Sequence, residues 1–324
     1  MTQRVTIVVA VLDGVSTIER CIASVAGQSN ADTELIVIDG GSTDGTVAVL
    51  ERWSDAISHW ESAPDRGVYD AYNKALAHAT GDWILFLGSD DYLWDARTLE
   101  TVAPHLAAQA GRVPVVYGQV AFTNHAGEIV EYRNEDWSYY RAIPCARWSF
   151  GTQGMFMHKS LFDGSEPFDL RFPIVADLDL LYGVLSRRDA CFLPDTIIAV
   201  FTFGGLSTDP GRLLQIVRER RRSLQKHGLS LRGEPRVKAT IKYVAFVVLR
   251  GLLGRGTAIK AVEQLMRLGR LSRGARATAE ARVDSGWPHG GSRSSPTAEP
   301  AAGAKPCAPQ PCRAASSEQS AASG

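Results

Sequence analysis

Two adjacent carboxylates, Asp90 and Asp91, follow a continuous apolar run from Trp83 to Gly88, with only Ser89 between the run and the acids. The run is typical of a buried strand, so both acids should emerge together where that strand ends. Side by side, each negative charge disfavours the ionisation of the other. A solvated acidic turn would account for the pair, but both carboxylates can stay ionised if they share a divalent cation. Because carboxylate oxygens suit Mg²⁺ or Mn²⁺, we predict one of these ions here.

Further acidic residues follow the neighbouring predicted strands. Asp39 ends a second apolar run and precedes Gly40 and Gly41, where the backbone can turn sharply, and Asp65 lies in the loop after a third run. The carboxyl ends of parallel strands meet at one edge of a sheet, so these acids should converge with Asp90 and Asp91. Asp39 alone could equally cap its own turn, but the convergence favours a binding role.

Strands that alternate with helices must position these acids. The predicted strands are Val5 to Val11, Glu34 to Asp39, Ile57 to Glu61 and Trp83 to Leu87, and the predicted helices begin at Ser16, Thr46 and Val68. Ser16 and Glu19 have the spacing of a capping box at the first of these helices. Continuous apolar strands between helices predict an α/β fold, with a mostly parallel sheet covered on both faces.

The second half of the chain gives a different pattern. A hairpin is predicted from Val115 to Phe122 and Glu128 to Tyr132, a helix from Asp177 to Ser186, and a strand-rich segment from Cys191 to Phe203. Residues 211–271 indicate a basic, largely helical extension. Residues 272–324 are rich in Ala, Ser, Gly and Pro and predict a disordered tail. The predicted catalytic or binding domain is therefore residues 1–210.

The charges are distributed unevenly along the chain. Residues 1–210 contain 14 Lys and Arg against 28 Asp and Glu, whereas residues 211–271 contain 15 against 3. The basic segment fits either a helix packed on the body with a solvated face or a contact with a membrane surface. An acidic body argues against nucleic acid as a partner. No apolar stretch is long enough for a membrane span, no secretory signal is recognised, and the five cysteines are scattered, so we expect a cytoplasmic protein, peripheral on the inner face of the plasma membrane.

Several common enzyme motifs are missing from the sequence. No P-loop, GxGxxG or HExxH pattern is present, which argues against an NTPase, a dinucleotide oxidoreductase or a zincin. A nucleotidyltransferase remains an alternative, although the loop from Val11 to Gly14 lacks the basic residue that would hold a triphosphate. A non-catalytic protein that binds nucleotide sugars or glycans is the second alternative, although the acidic residues for catalysis and metal binding are all present.

Five segments in order carry a resemblance to a known family. They are VTIVVA at 5–10, IDGGSTDGT at 38–46, the run SAPDRGVYDAYNKALAHATGDWILFLGSDD at 62–91, VADLDLL at 175–181 and FGGLS at 203–207. Together they resemble family 2 glycosyltransferases, especially bacterial members that build extracellular polysaccharides and cell-envelope glycolipids. The resemblance covers residues 4–210. It implies a GT-A fold, a nucleotide-sugar donor, a glycan or lipid-linked acceptor, a divalent metal and inversion at the anomeric carbon.

The resemblance also assigns roles to individual residues. Asp39 would bind the nucleobase above the backbone of Ala10, and Asp65 would border the nucleotide. Asp90 and Asp91 match the acidic metal motif, in which one acid contacts the sugar or ribose and the other the ion.

The catalytic base of the family would be Asp177. Asp179 lies two residues further on, about 200° away around a helix, so only one of the two can face the cleft. The segment from Phe150 to Gly154 lacks the histidine that relatives often have ahead of the base, which leaves the acceptor least defined.

Overall fold

The computed structural model describes residues 3–29, 32–124, 127–164, 166–202 and 210–232, and these contain nine strands and seven α-helices. In chain order the elements are β1 (Val5–Val11), α1 (Ile18–Ala26), β2 (Thr33–Asp39), α2 (Thr46–Arg52), β3 (His59–Ser62), α3 (Val68–Leu76), β4 (Trp83–Gly88), β5 (Tyr92–Leu93), α4 (Thr98–Gln109), β6 (Val115–Thr123), β7 (Ile129–Arg133), α5 (Trp137–Ala142), β8 (Met155–His158), α6 (Ala176–Leu185), β9 (Cys191–Thr202) and α7 (Leu213–Lys226).

All the described strands belong to one sheet. Its order is β3-β2-β1-β4-β8-β6-β9-β5, and β7 pairs with β6. The first four strands of this order are parallel, and β6 and β9 are also parallel, whereas β8, β7 and β5 pair antiparallel. The predicted α/β fold is confirmed, and so is the predicted hairpin, which is β6 and β7. The antiparallel pairing is concentrated in the second half of the sheet.

Helices cover both faces of the sheet. Side chains alternate along a strand, so β1 sends Ile7 and Val9 to one face and Val8 to the other. The Ile7 face packs against α1, α2 and α4, and the Val8 face packs against α3 and α6. Because both faces are buried, these strands have apolar residues at consecutive positions rather than only at alternate ones.

The N-terminus of α1 differs from the predicted capping box. The N-cap is Thr17, one residue later than the predicted Ser16, and its side chain makes no capping hydrogen bond. The side chain of Glu19 accepts hydrogen bonds from Trp53 Nε1 and Arg52 instead. These contacts with the end of α2 take the carboxylate away from the backbone amide at the start of α1. The predicted capping box therefore does not form.

Helix α7 supplies the described part of the basic extension. Its Leu224 is fully buried, and Glu219 and Ser223 on the same side are also buried, so this helix packs on the body. The remainder of the predicted extension, from residue 233, and the predicted tail at 272–324 lie outside the described residues. Within the described ranges no helix has the length and apolar character needed to cross a bilayer.

Candidate active site

The two adjacent carboxylates lie just beyond the end of β4. Asp91 is only 1% exposed, and it accepts hydrogen bonds from the backbone N–H groups of Gly88 (3.0 Å) and Thr202 (3.4 Å). A Cβ atom placed on Gly88 would lie 2.8 Å from Asp90 Oδ1 and 2.8 Å from Asp91 Oδ2. Both carboxylates therefore approach the same point, and a residue larger than glycine at position 88 would collide with them.

The electrostatics of this pair favour a bound cation. Burial raises the pKa of Asp91 well above its usual range, and the neighbouring charge of Asp90 raises it further. Burial also raises the pKa of Asp90. Arg20 opposes these shifts, but its guanidinium donates to the backbone carbonyl of Asp90 (2.9 Å) and stacks over Tyr92, 4.3 Å from the ring centroid. Two oxygen-rich, incompletely neutralised carboxylates are a suitable ligand set for Mg²⁺ or Mn²⁺.

Asp39 and Asp65 lie together beyond β2 and β3. Asp39 is fully buried and accepts hydrogen bonds from the N–H groups of Gly41 (3.1 Å) and Ser42 (2.9 Å). Gly41 has a φ of +88°, which lets the turn fold back over the carboxylate. A Cβ atom on Gly40 would be 3.0 Å from Asp65 Oδ2, so Asp65 is in contact with the same turn. This is the close approach of neighbouring strand ends that the sequence predicts.

Ala10 joins the two pairs of acids. On β1 it is in register with Ile38 of β2 on one side and Gly88 of β4 on the other. Ala10 therefore precedes Val11, which pairs with Asp39, and it pairs directly with Gly88, the last residue of β4 before the acidic pair. The four acids and Ala10 all lie at the same sheet edge.

The loop after β1 is hydrogen-bonded to the loop after β2. Ser42 Oγ accepts from the N–H of Asp13 (2.7 Å), and Asp13 Oδ1 accepts in return from the N–H of Thr43 (2.9 Å). Thr46 Oγ1 accepts from the N–H of Gly14 (2.9 Å). We name these paired loops, residues 12–15 and 40–46, the cross-linked lip. The sequence reading does not predict it.

Asp177 lies in the first turn of α6 and is held by three donors. Its Oδ1 accepts from the hydroxyl of Tyr69 (2.8 Å) and from the N–H of Leu178 (2.7 Å), and its Oδ2 accepts from Thr152 Oγ1 (3.0 Å). Burial raises the pKa of Asp177, and these hydrogen bonds to the charged form oppose that rise. The carboxylate therefore has a fixed orientation and an increased proton affinity, which is what a general base needs.

Two tyrosines of α3 connect Asp177 to the acidic pair. The rings of Tyr69 and Tyr72 meet edge to face at 5.9 Å, and the hydroxyl of Tyr72 donates to the carbonyl of Leu87 at the end of β4 (3.4 Å). Burial raises the pKa of Tyr72, and the negative charges of Asp91 and Asp177 raise it further. The two tyrosines therefore link the carboxylate of Asp177 to the end of β4 through one ring contact and two hydrogen bonds.

Sequence reasoning missed the residues that hold Asp177. Tyr69 belongs to the family-like run at 62–91, and Thr152 belongs to the segment from Phe150 to Gly154 that lacks the usual histidine. Their positions in these motifs were available signals. The sequence does not show that Tyr69 and Thr152, which are 108 and 25 residues from Asp177 along the chain, lie within hydrogen-bond distance of it.

Asp179 has a different environment from Asp177. It is buried and accepts from Ser223 Oγ (2.6 Å), Lys226 Nζ (2.6 Å) and the ring of His227 (3.0 Å). All three partners lie on α7 or directly after it. Asp179 therefore fastens α7 to α6, and Asp177 is the acid of this motif that is turned toward Tyr69 and Thr152.

Comparison with known proteins identifies the family. Residues 6–161 match the model of Glycosyl transferase family 2. A PGL/p-HBAD biosynthesis glycosyltransferase of Mycobacterium bovis is 31% identical over 212 residues, which span 62% of this chain and 78% of the relative. The chain is a family 2 glycosyltransferase. An uncharacterized glycosyltransferase of Mycobacterium tuberculosis is 41% identical to it over 105 residues, 32% of this chain and 38% of that protein.

Solved structures confirm the GT-A fold of this family 2 glycosyltransferase. S. aureus TarS, in a complex with UDP, gives a TM-score of 0.52 at 17% identity. The match covers 76% of this chain and 71% of the TarS chain. The mannosyltransferase PcManGT from Pyrobaculum calidifontis, in a complex with GDP-Man and Mn²⁺, gives a TM-score of 0.52 at 18% identity. The match covers 85% of this chain and 77% of the PcManGT chain. Family membership leaves the nucleotidyltransferase alternative without support.

Proposed function

We propose that this glycosyltransferase moves a sugar, with inversion, from a nucleotide-sugar donor to a hydroxyl of a glycan or lipid-linked acceptor in cell-envelope or exopolysaccharide synthesis. The observation that carries the proposal is the placement of Asp177 relative to the acidic pair. Asp177 is held by Tyr69 and Thr152, and the nearby Tyr72 donates to the carbonyl of Leu87 in β4, the strand that precedes Asp90 and Asp91. One carboxylate is thus available for the acceptor proton and two for the donor side.

The donor would occupy the strand ends from β3 to β4. Asp39 and the backbone at Ala10 would contact the nucleobase, Asp65 would border the nucleotide, and Asp90 would contact the sugar or ribose. The turn from Asp39 to Ser42 is already fixed by hydrogen bonds, so this part of the site is formed before a ligand arrives. Structural neighbours with the same fold were solved with UDP, UDP-GlcNAc and GDP-Man, which supports a donor of this class.

Asp91 and Asp90 would hold a divalent ion, Mg²⁺ or Mn²⁺. When bound, such an ion neutralises the negative charge that develops on the leaving nucleoside diphosphate. Support comes from the oxygen ligands themselves, from the raised pKa of both carboxylates and from the Mn²⁺ bound by the mannosyltransferase neighbour. Arg20, close to the backbone of Asp90, adds one permanent positive charge to this side of the site.

Asp177 would be the general base. Its carboxylate would accept the proton of the acceptor hydroxyl as the oxygen attacks the anomeric carbon from the face opposite the leaving group. General-base catalysis typically contributes about 10²–10⁴-fold in rate. Tyr69 and Thr152 would keep the carboxylate in one orientation, and their hydrogen bonds oppose the rise in its pKa that burial causes.

The proposed acceptor is supported by a relative. The Mycobacterium bovis relative carries the name of a PGL/p-HBAD biosynthesis enzyme, which favours a lipid-linked or glycan acceptor for this chain. The basic composition of residues 211–271 would bring the enzyme to anionic lipid on the inner face of the plasma membrane, where such acceptors are accessible from the cytoplasm.

Replacement of the base tests the proposed function. We expect Asp177→Asn to lower kcat at least about 10²-fold, because an amide cannot accept the proton, while the affinity for the nucleoside diphosphate stays within about twofold. Transfer is measured with a panel of UDP-, GDP- and dTDP-sugars, with Mn²⁺ present, and NMR of the product reports its anomeric configuration.

The matched control is Asp163→Asn, which makes the same change at an exposed position. It should leave both kcat and donor affinity unchanged. Turnover of Asp177→Asn at the unsubstituted enzyme's rate would eliminate Asp177 as the base, and a product with retained configuration would contradict inversion.

A further inference from the structure

A second group of metal-binding side chains lies away from the proposed donor site. His59 and Glu61 project from the same face of strand β3, and His78 follows helix α3. One ligand atom from each residue lies within 4.8 Å of the other two. The two imidazoles are stacked, with ring centroids 3.7 Å apart and an angle of 17° between the planes. Three potential ligand atoms are therefore close enough to reach one ion once the stacked rings turn, because the lone pair of an imidazole nitrogen lies in the plane of its ring.

One atom of this group has an unmet bonding requirement. The Nε2 of His59 is buried, and within the described part of the chain it has no hydrogen-bond partner. A buried polar atom without a partner costs free energy, so such an atom is uncommon in a folded protein. Glu61 likewise has no basic side chain within ion-pair distance among the described residues. A cation between the three side chains would satisfy both the nitrogen and the carboxylate.

The type of ligand selects the type of metal. Imidazole nitrogen suits Zn²⁺, Ni²⁺ and Cu²⁺, whereas Mg²⁺ and Mn²⁺ prefer sites made of oxygen alone. Two histidines and one glutamate are also a known set for Zn²⁺, which then keeps a fourth position for water. The group thus differs in chemistry from Asp90 and Asp91, which offer oxygen ligands only.

The two sites are also separate in space. Strand β3 is at the edge of the sheet, and β2 and β1 lie between it and β4. Three strand spacings amount to about 14 Å, so one ion cannot serve both sites. Between β3 and α3 lies the loop that carries Asp65, and α3 itself carries Tyr69.

We propose that His59, Glu61 and His78 bind one Zn²⁺ ion that ties the edge strand β3 to the C-terminal end of α3. The ion joins the two elements that flank the loop at 63–67. It therefore stabilises the segment that presents Asp65 to the nucleotide and Tyr69 to Asp177. This site is independent of the Mg²⁺ or Mn²⁺ of the donor site.

Calorimetric titration of the metal-free full chain with ZnCl₂ tests the site. The protein carries Cys307→Ser and Cys312→Ser, so that these two thiols cannot bind Zn²⁺, and the buffer contains excess Mg²⁺ to occupy the donor site. We expect one ion per chain. Loss of a direct ligand in His78→Ala or Glu61→Gln should weaken Zn²⁺ binding by more than the roughly 10–100-fold typical of changes around a ligand.

The control is His105→Ala, which removes a partly buried histidine of α4 and should leave Zn²⁺ affinity unchanged. His78 is exposed, so its replacement tests the site without opening the core. Mn²⁺ binding should remain unchanged in His78→Ala, which separates this site from the donor site. Zn²⁺ binding that is equally tight in His78→Ala and Glu61→Gln, or no Zn²⁺ binding by the starting protein, would overturn the proposal.

Discussion

At the scale of single residues, the acidic pair determines how the site responds to pH. Asp91 is buried beside Asp90, and both pKa values are raised by that burial. For an acid whose pKa is higher in the folded protein, the neutral form is the one that stabilises the fold. This contribution is present at low pH and is lost as the pH rises through the raised pKa. A divalent ion reverses the preference, because it needs both carboxylates ionised.

We therefore predict that Mn²⁺ binding is linked to proton release. The affinity for Mn²⁺ should rise as the pH rises from about 4, the usual pKa of an aspartate, through the raised pKa values of the pair, by up to about tenfold per pH unit for each proton released. Calorimetry at several pH values, in two buffers with different ionisation enthalpies, measures both the affinity and the number of protons. Asp91→Asn should bind Mn²⁺ weakly and with a smaller pH dependence. An affinity that stays constant over this range would contradict the linkage.

At the scale of elements, α7 holds α6, the helix whose first turn contains Asp177. Its Glu219 accepts from the N–H of Ile174 (2.9 Å), just before α6, and its Lys226 donates to Asp179 (2.6 Å) within α6. Arg220 donates to the carbonyl of Trp148 (2.5 Å), close to the segment that carries Thr152. The first part of the basic extension thus positions the supports of the proposed base from two directions.

This arrangement predicts the effect of replacing Lys226. Lys226→Met removes the charged partner of buried Asp179 while it keeps most of the length of the side chain, and it should lower the free energy of unfolding by about 1–3 kcal/mol. Arg222→Met on the exposed side of the same helix should change it by less than about 0.5 kcal/mol. Urea unfolding measures both. Equal stabilities for the two variants would show that the ion pair between α7 and α6 is not important.

The elements differ in how well the sequence predicts them. The strands β1, β2 and β4 follow from long apolar runs, and the β6–β7 hairpin follows from two strand patterns around a turn. The two-residue β5 and the four-residue β8 are not predicted, because such short strands exist only through their pairing with β9, β4 and β6. The prediction of a capping box at Ser16 and Glu19 is wrong, because a local pattern does not reveal that Trp53 donates a hydrogen bond to Glu19.

The candidate site is predictable to the extent that it depends on strand ends. Asp39, Asp65, Asp90 and Asp91 each follow a recognisable strand, and parallel strands place their carboxyl ends at one edge. Asp177 follows from a family motif instead. Its partners Tyr69 and Thr152 come from distant segments, and no periodicity in the sequence connects them.

At the scale of the whole molecule, an acidic body is joined to a basic segment. Residues 1–210 carry twice as many acidic as basic side chains, and residues 211–271 carry five times as many basic as acidic ones. Of the described residues in that segment, α7 is packed on the body. We propose that the part from residue 233 to 271 supplies the contact with anionic lipid, and that residues 1–210, 211–271 and 272–324 are the three functional divisions of the chain.

Deletion of residues 238–256 tests this division. The deleted protein should keep its affinity for the nucleoside diphosphate, since α7 and the strand ends are intact, but should no longer float with vesicles that contain anionic lipid. Vesicles of neutral lipid and a buffer of high ionic strength are the controls, because attraction between exposed charges is screened by salt. Equal flotation of the full and deleted chains would exclude this segment as the membrane contact.

The cross-linked lip has a consequence for the thermodynamics of recognition. Loops that order only around a ligand lose conformational entropy at that moment, and this loss subtracts from affinity. Residues 12–15 and 40–46 have already made their mutual hydrogen bonds, so that loss has been incurred during folding. In the proposed donor site, we therefore expect the cross-linked lip to discriminate between donors by rigid complementarity of shape and hydrogen bonding. Closure of these loops around the bound donor would contribute little.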